Sequence, residues 1–146
     1  FLFVCGHEAD LEIINNKKNK KQNNIKFIDF IPNSEIPEIL KSSDILLMTY
    51  TSELDTLRFT SPLKMFEYMA SKKPIISSDF PVLREVLNDK NSLLIQPSNP
   101  KSLVDAINKL VDNKTLSEKI SSQAYSDVNK YTWNKRAQII IDFLRT

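Results

Sequence analysis

Short, nearly continuous apolar runs alternate along the chain with segments whose apolar residues recur at helical spacing. The runs at 1–5, 25–30, 45–49, 74–77 and 93–95 predict five strands. Unbroken apolar runs of this length suit strands buried on both faces of a parallel sheet. Helical spacing predicts helices over 8–16, 34–41, 62–71 and 82–87. In the second of these Ser34 is placed as an N-cap, with Ile36, Ile39 and Leu40 on one face. In the third, Leu63, Phe66 and Ala70 share a stripe and Pro62 sits in the first turn. Strand–helix–strand alternation with short connections implies right-handed crossovers, and hence a doubly wound α/β fold with a parallel sheet of about five strands.

After residue 95 the pattern is all helical. Asn99 caps and Pro100 opens a helix whose apolar positions are Leu103, Val104, Ile107, Leu110 and Val111. Residues 115–130 carry Leu116, Ile120 and Ala124 on one stripe, and 134–144 carry Ala137, Ile140, Ile141 and Leu144. No linker or internal repeat divides the chain, so a single domain is expected over 1–146. Its opening inside an apolar strand reads as the truncated start of a longer protein.

Composition removes several kinds of chemistry. The 146 residues contain one Gly, one Cys and one His. About 7% Gly is usual, which would give roughly ten. A single glycine cannot write G-x-G-x-x-G or a P-loop. A single cysteine excludes an internal disulfide and any Cys-based zinc site, and no metal is expected. His7 is the one possible histidine base, and otherwise a loop histidine. Twenty basic and 18 acidic residues leave a net charge of +2, which argues for no nucleic-acid partner. No run approaches the ~18 apolar residues of a membrane span, and no signal peptide is present, so a cytoplasmic protein is expected. Sixteen Lys, 16 Ile and 13 Asn fill 45 positions, so surface Lys and Asn carry little functional weight. The Lys/Asn-rich stretch 17–24 reads as a solvated loop, with peripheral contact to an anionic lipid surface as its alternative.

Ligands of open α/β sheets bind beyond the C-terminal strand ends. The segments there are 6–7, 31–33, 50–62, 78–80 and 96–99. The longest, 50–61, runs into Pro62 at a helix start, where free backbone N–H groups and the helix dipole attract anions. Thr60 and Ser61 hydroxyls and the Arg58 guanidinium add donors for a phosphate. The plainer alternative is N-capping by Ser61 and a solvated Arg58. Lys64 and Glu67 stand three apart on this helix. They read either as a weak surface ion pair, or as a cation for a diphosphate and a carboxylate for a ribose diol. Cys5 reads as a buried thiol, Trp133 as a packing anchor for the last helix, and Arg84 and Glu85 as helix-surface charges, with orientation of a loop at the cleft as their alternative.

Residues 60–76 read T-S-P-L-K-M-F-E-Y-M-A-S-K-K-P-I-I. This stretch resembles the donor-binding motif of the family-four (group 1) retaining glycosyltransferases, in its S-P-x-K-x-x-E-Y-M-A variant. Other segments are similar to that family in the same order. They are the strand 3–6 ending in Gly6, I-K-F-I-D-F-I at 25–31, S-D-I-L-L-M at 43–48, F-P-V-L-R-E-V at 80–86, N-S-L-L-I-Q-P at 91–97 and Y-T-W at 131–133.

The resemblance implies the C-terminal half of a GT-B fold, whose two Rossmann-like domains face one another. This half would bind the donor, and an absent N-terminal domain the acceptor. It implies transfer of a sugar from a nucleotide-diphosphate sugar to a glycan or lipid-linked acceptor, with retention and without a cofactor. Glu67 would grip the ribose hydroxyls. Amides around Ser61, Pro62 and Leu63 would hold the diphosphate, with Thr60, Lys64 and Arg58 contributing hydroxyl or charge. Gly6, Phe30, Ile31 and Pro32 would border the base. The catalytic residue is left unassigned. One position departs: Phe59 stands where the family often has a sugar-contacting Glu, with Glu53 and Asp55 as nearby acids. That departure keeps open a non-catalytic scaffold, and a GT-B epimerase is the other alternative. The family's usual glycines appear here as Asp29, Pro62, Lys72 and Ser92. Lys72 and Ser92 would be strained if their backbones need positive φ.

Overall fold

A computed structural model describes residues 1–4, 24–28, 30–53 and 60–145. The helix read at 8–16, the lysine-rich stretch up to residue 23, and Cys5, Gly6, His7, Asp29, Asp55, Arg58 and Phe59 lie outside the described residues. The chain divides into two compact units, Phe1–Ile39 and Leu40–Thr146.

In the first unit β1 (Leu2–Val4) pairs in parallel with β2 (Lys26–Ile28), Phe3 opposite Phe27. Those two rings stack with centroids 5.2 Å apart. Ile31 is buried, while Phe30 and Pro32 are exposed. The Glu35 N–H donates to the Pro32 carbonyl at 2.9 Å. This turn delays α1 (Ile36–Ser42) by two residues against the sequence reading, so Ser34 lies in the turn and does not cap. Helix α1 runs across the junction of the units.

The second unit holds a parallel sheet of β3 (Leu46–Met48), β4 (Ile75–Ser78) and β5 (Leu93–Ile95), with β4 central. The register sets Met48 opposite Ser77 and Ser78 opposite Ile95. Its helices are α2 (Leu63–Ala70), α3 (Pro81–Arg84), α4 (Pro100–Asp112), α5 (Lys114–Val128) and α6 (Trp133–Leu144). A 3-10 turn at Asn129–Tyr131 precedes α6. All five strands thus form where the apolar runs predict them, grouped as two and three among the described residues.

Alternation along β4 sends neighbouring side chains to opposite faces. Ile75 joins Met48, Met65 and Met69 of α2, Leu83 of α3, Leu87, and Ala124 of α5. Ile76 joins Ile95, Ala106 and Leu110 of α4, and Ile120 of α5. Helices therefore cover both faces of the three-stranded sheet, which is the doubly wound arrangement. Asn99 caps α4 as expected, accepting from the Ser102 N–H at 3.1 Å. Asn113 and Thr132 cap α5 and α6 in the same way.

Trp133 is corrected. It is 74% exposed, with the Arg136 guanidinium 6.0 Å from its ring, and does not anchor the last helix. The ring contact to the preceding turn is Phe66 against Tyr131, with centroids 5.3 Å apart. Of the substituted glycine positions that are described, Lys72 carries the strain. It has φ 58° directly after α2, whereas Ser92 has no positive φ. Ser92 is instead buried, and its hydroxyl donates to the Asn88 carbonyl at 3.0 Å. A left-handed backbone costs a residue with a Cβ ~1 kcal/mol. Lys72→Gly removes that cost and gives up a 5.9 Å approach of the ammonium to the Tyr125 ring, worth about 0.5 kcal/mol where exposed. The variant is expected to melt a few degrees higher in a thermal scan; an unchanged or lower midpoint would contradict the assignment of strain.

Candidate functional site

The site is built where β3 and β4 end. The Ser78 hydroxyl, 1% exposed, accepts the Tyr50 N–H at 2.8 Å and donates to the Tyr50 carbonyl at 2.9 Å. One buried side chain thus fixes the main chain leaving β3. Two residues on, the Ser52 N–H donates to the Ser98 hydroxyl at 3.3 Å, which ties this segment to the turn after β5. Ser98 itself has φ 55°.

Helix α2 begins beyond this segment. Its N-cap is Pro62, at φ −71°, and no side chain caps it. The alternative of Ser61 as cap is therefore corrected. Proline has no N–H to present, which leaves the N–H groups of Leu63 and Lys64 as the first of the helix. Ser61 is exposed, Thr60 and Pro62 are half-buried, and Leu63 is 66% exposed. The Lys64 ammonium stands over the Tyr50 ring, 4.8 Å from its centroid. Glu67 is exposed and, among the described residues, pairs with no cation. The alternative of a Lys64–Glu67 ion pair is not what forms. Tyr68 is pushed up from the ordinary tyrosine range, first by burial, then by Tyr50 and Glu67 beside it.

Beyond β4, Arg84 grips Asp79 with two parallel hydrogen bonds, Nε to Oδ1 and Nη2 to Oδ2, the second at 2.7 Å. This pair closes the β4–α3 turn. Further round, Asn91 is fully buried. Its Nδ2 donates to the Val86 carbonyl and to Asp127 Oδ2, both at 3.1 Å, and its Oδ1 accepts the Asn88 N–H at 2.8 Å. Lys130 donates to the other oxygen of Asp127 at 2.7 Å. Sequence reasoning gave Asn91 no role. Its signal was its place at the head of N-S-L-L-I-Q-P, directly before an apolar run.

Two carboxyls titrate below their ordinary range: Asp79 through its hydrogen bonds from Arg84, and Asp127 through those from Lys130 and then Asn91. A depressed folded-state value stabilises above the unfolded value and is lost as pH falls through the folded one. The chain is therefore expected to hold its stability down to about pH 4 and lose it below. Chemical denaturation across that range checks this, and Asp127→Asn should flatten the acid limb.

Among the described residues no cluster of three His, Cys, Asp or Glu side chains could hold a metal ion. Nor is any helix there long and apolar enough to cross a membrane.

The sequence profile of the glycosyl transferases group 1 matches residues 1–127. The chain belongs to that family. An uncharacterized glycosyltransferase of Methanocaldococcus jannaschii is 23% identical over 116 residues, covering 78% of this chain and 28% of its own length. A sucrose-phosphate synthase of Thermosynechococcus elongatus matches in structure with TM-score 0.81 at 17% identity, over 99% of this chain and 37% of that one. Anabaena HepE in complex with UDP matches with TM-score 0.79 at 17% identity, over 99% and 40%. HepE has also been solved with UDP-glucose. The fold of this group 1 glycosyltransferase chain is that of the C-terminal Rossmann-like half of GT-B enzymes. The chain spans well under half the length of these relatives.

Of the residues singled out in the sequence, Thr60, Ser61, Pro62, Leu63, Lys64 and Glu67 fall together along the start of α2. Phe30, Ile31 and Pro32 fall in the first unit. Gly6 and Arg58 lie outside the described residues.

Proposed function

We propose that this chain binds the nucleotide-diphosphate sugar for a retaining glycosyltransferase, as the donor half of a longer enzyme. The observation that carries the reading is on α2: an N-terminus that no side chain caps, a cation, and a carboxylate that pairs with no cation among the described residues, in sequence along one helix. The first two suit a diphosphate, through N–H donors, helix dipole and ammonium. The carboxylate of Glu67, one turn further on, accepts two ribose hydroxyls at once. Gly6, Phe30, Ile31 and Pro32 border the base in this reading, and Thr60 and Arg58 serve the phosphates. UDP and UDP-glucose in HepE support a nucleotide sugar as the ligand class.

In the reaction proposed, the bond from the anomeric carbon to the diphosphate breaks. A bond to the oxygen of an acceptor hydroxyl, on a glycan or lipid-linked glycan, forms on the same face, and the hydroxyl proton leaves with the diphosphate. This half would stabilise the departing diphosphate, with no metal or other cofactor, at the cytoplasmic side of the cell. Acceptor recognition would fall to the N-terminal domain.

Calorimetric titration with UDP and GDP tests the binding. One of the two is expected to bind the 146-residue chain weakly and saturably, with no sugar transfer by the chain alone. Failure of both to bind a longer, domain-complete protein favours a non-catalytic scaffold, the reading that Phe59 in place of the sugar-contacting Glu supports.

A further inference from the structure

We propose that Tyr50 is a positioning residue, whose ring, locked by Ser78, holds the Lys64 ammonium ready beside the open end of α2. The proposal rests on the nucleotide-binding reading and adds to it the group that puts the cation in place.

The geometry is cumulative. Ser77 and Ser78 close β4, and the register carries β3 to the same level at Met48. Tyr50 is the second residue past that end. Free main chain here would let the ring swing, but the buried Ser78 hydroxyl holds both the N–H and the carbonyl of Tyr50. The ring packs against the same core cluster as Tyr68 and Phe66. Its face then receives the Lys64 ammonium at 4.8 Å, within the range of a cation–π contact.

Lysine is a point charge on a flexible four-carbon stem, and ordering it is part of what an anion must offset on binding. A ring that already confines the ammonium to the strand ends reduces that ordering. Lys64 is also the second residue of α2, so its own N–H and its side chain lie at one helix end. An anion at that end meets dipole, N–H and ammonium together. Tyrosine suits the task because its ring attracts a cation without neutralising it, so the charge remains available to phosphate. A carboxylate at position 50 would hold the lysine more strongly and compete with the ligand.

The test is a set of UDP titrations on the chain and its Tyr50→Leu, Tyr50→Phe, Lys64→Ala and Tyr50→Leu/Lys64→Ala variants, each with its melting midpoint. Tyr50→Leu is expected to weaken UDP by about two- to fivefold. Tyr50→Phe, which keeps the ring, should recover most of that loss. In the Lys64→Ala background the leucine change should cost nothing further, the non-additivity of two residues acting as one. A purely structural role predicts the same loss in both backgrounds and no distinction between Leu and Phe beyond stability. Wild-type binding that Tyr50→Leu leaves unchanged, or equal losses in both backgrounds, overturns this proposal alone. The same variants are titrated with GDP where GDP is the nucleotide that binds, and absence of saturable binding of both UDP and GDP, by the wild-type chain and by a domain-complete protein, overturns the proposal together with the nucleotide-binding reading.

Discussion

Glu67→Ala is expected to weaken UDP binding by about 30-fold while leaving the melting midpoint where it was. The side chain is exposed and pairs with no cation among the described residues, so the folded state loses no contact that stabilises it. Alanine is at least as good a helix former as glutamate. What is lost appears only with ligand present: two hydrogen bonds from ribose hydroxyls to a charged acceptor, together worth about 2 kcal/mol net. Glu67→Gln separates shape from charge. It keeps one acceptor oxygen at the same place and should fall between the two. Calorimetry with UDP gives the affinities, and circular dichroism the midpoints. A Glu67→Ala chain that binds UDP like wild type would remove the carboxylate from the account.

Asn91→Ala is expected to act the other way, on stability first. Asn91 is fully buried and makes three hydrogen bonds, to Val86, Asn88 and Asp127. Alanine removes the partners of the Val86 carbonyl and the Asn88 N–H, takes one hydrogen bond from Asp127, and does so where the Asn91 side chain is wholly buried. Each unsatisfied buried group costs about 1–3 kcal/mol, and a small cavity adds to it. A total near 3 kcal/mol is expected, or roughly 10 °C in the midpoint of a chain this size. The loop from Glu85 to Ser92 joins α3 to β5, and Asn91 ties it to α5 through Asp127. Local hydrogen exchange in that loop should therefore rise before global unfolding does. A variant within 1 kcal/mol of wild type would mean that water or a rearranged loop replaces all three bonds.

How much was legible depended on the kind of signal. Burial on both faces writes itself as an unbroken apolar run, so the wholly buried β4 could be read directly; β1 forms at its apolar run as well, although Leu2, Phe3 and Val4 are exposed among the described residues. Helix starts marked by Asn99–Pro100 and by Pro62 were legible because capping and the missing N–H are local effects. The pairing of the strands among the described residues, β1 with β2 and β4 between β3 and β5, was not, since nothing local records which strand pairs with which. Trp133 was misjudged from residue type: a large ring suggests burial, but exposure is decided by neighbouring elements, and every residue of α6 is exposed. The positive φ at Lys72 was visible only against the family's glycine, and that at Ser98 was not visible at all, because serine carries no mark of it. The grip of Ser78 on Tyr50 lay hidden for a similar reason. A serine ending a strand reads as a turn residue until the strand beside it is known. The start of α2 was legible as a helix end at Pro62, through T-S-P-L-K-x-x-E, while the choice of Lys64 between Glu67 and the Tyr50 ring needed the fold.

The central claim, that the start of α2 receives a nucleoside diphosphate, is tested most directly by following backbone amide resonances of the chain during titration with UDP. The amides of Leu63 and Lys64 are expected to shift saturably and together, with those of Met65 to Glu67 following, and Glu67→Ala should displace the whole curve to higher UDP concentration. Saturable shifts confined to other parts of the chain, with Leu63 and Lys64 unmoved, would contradict the account.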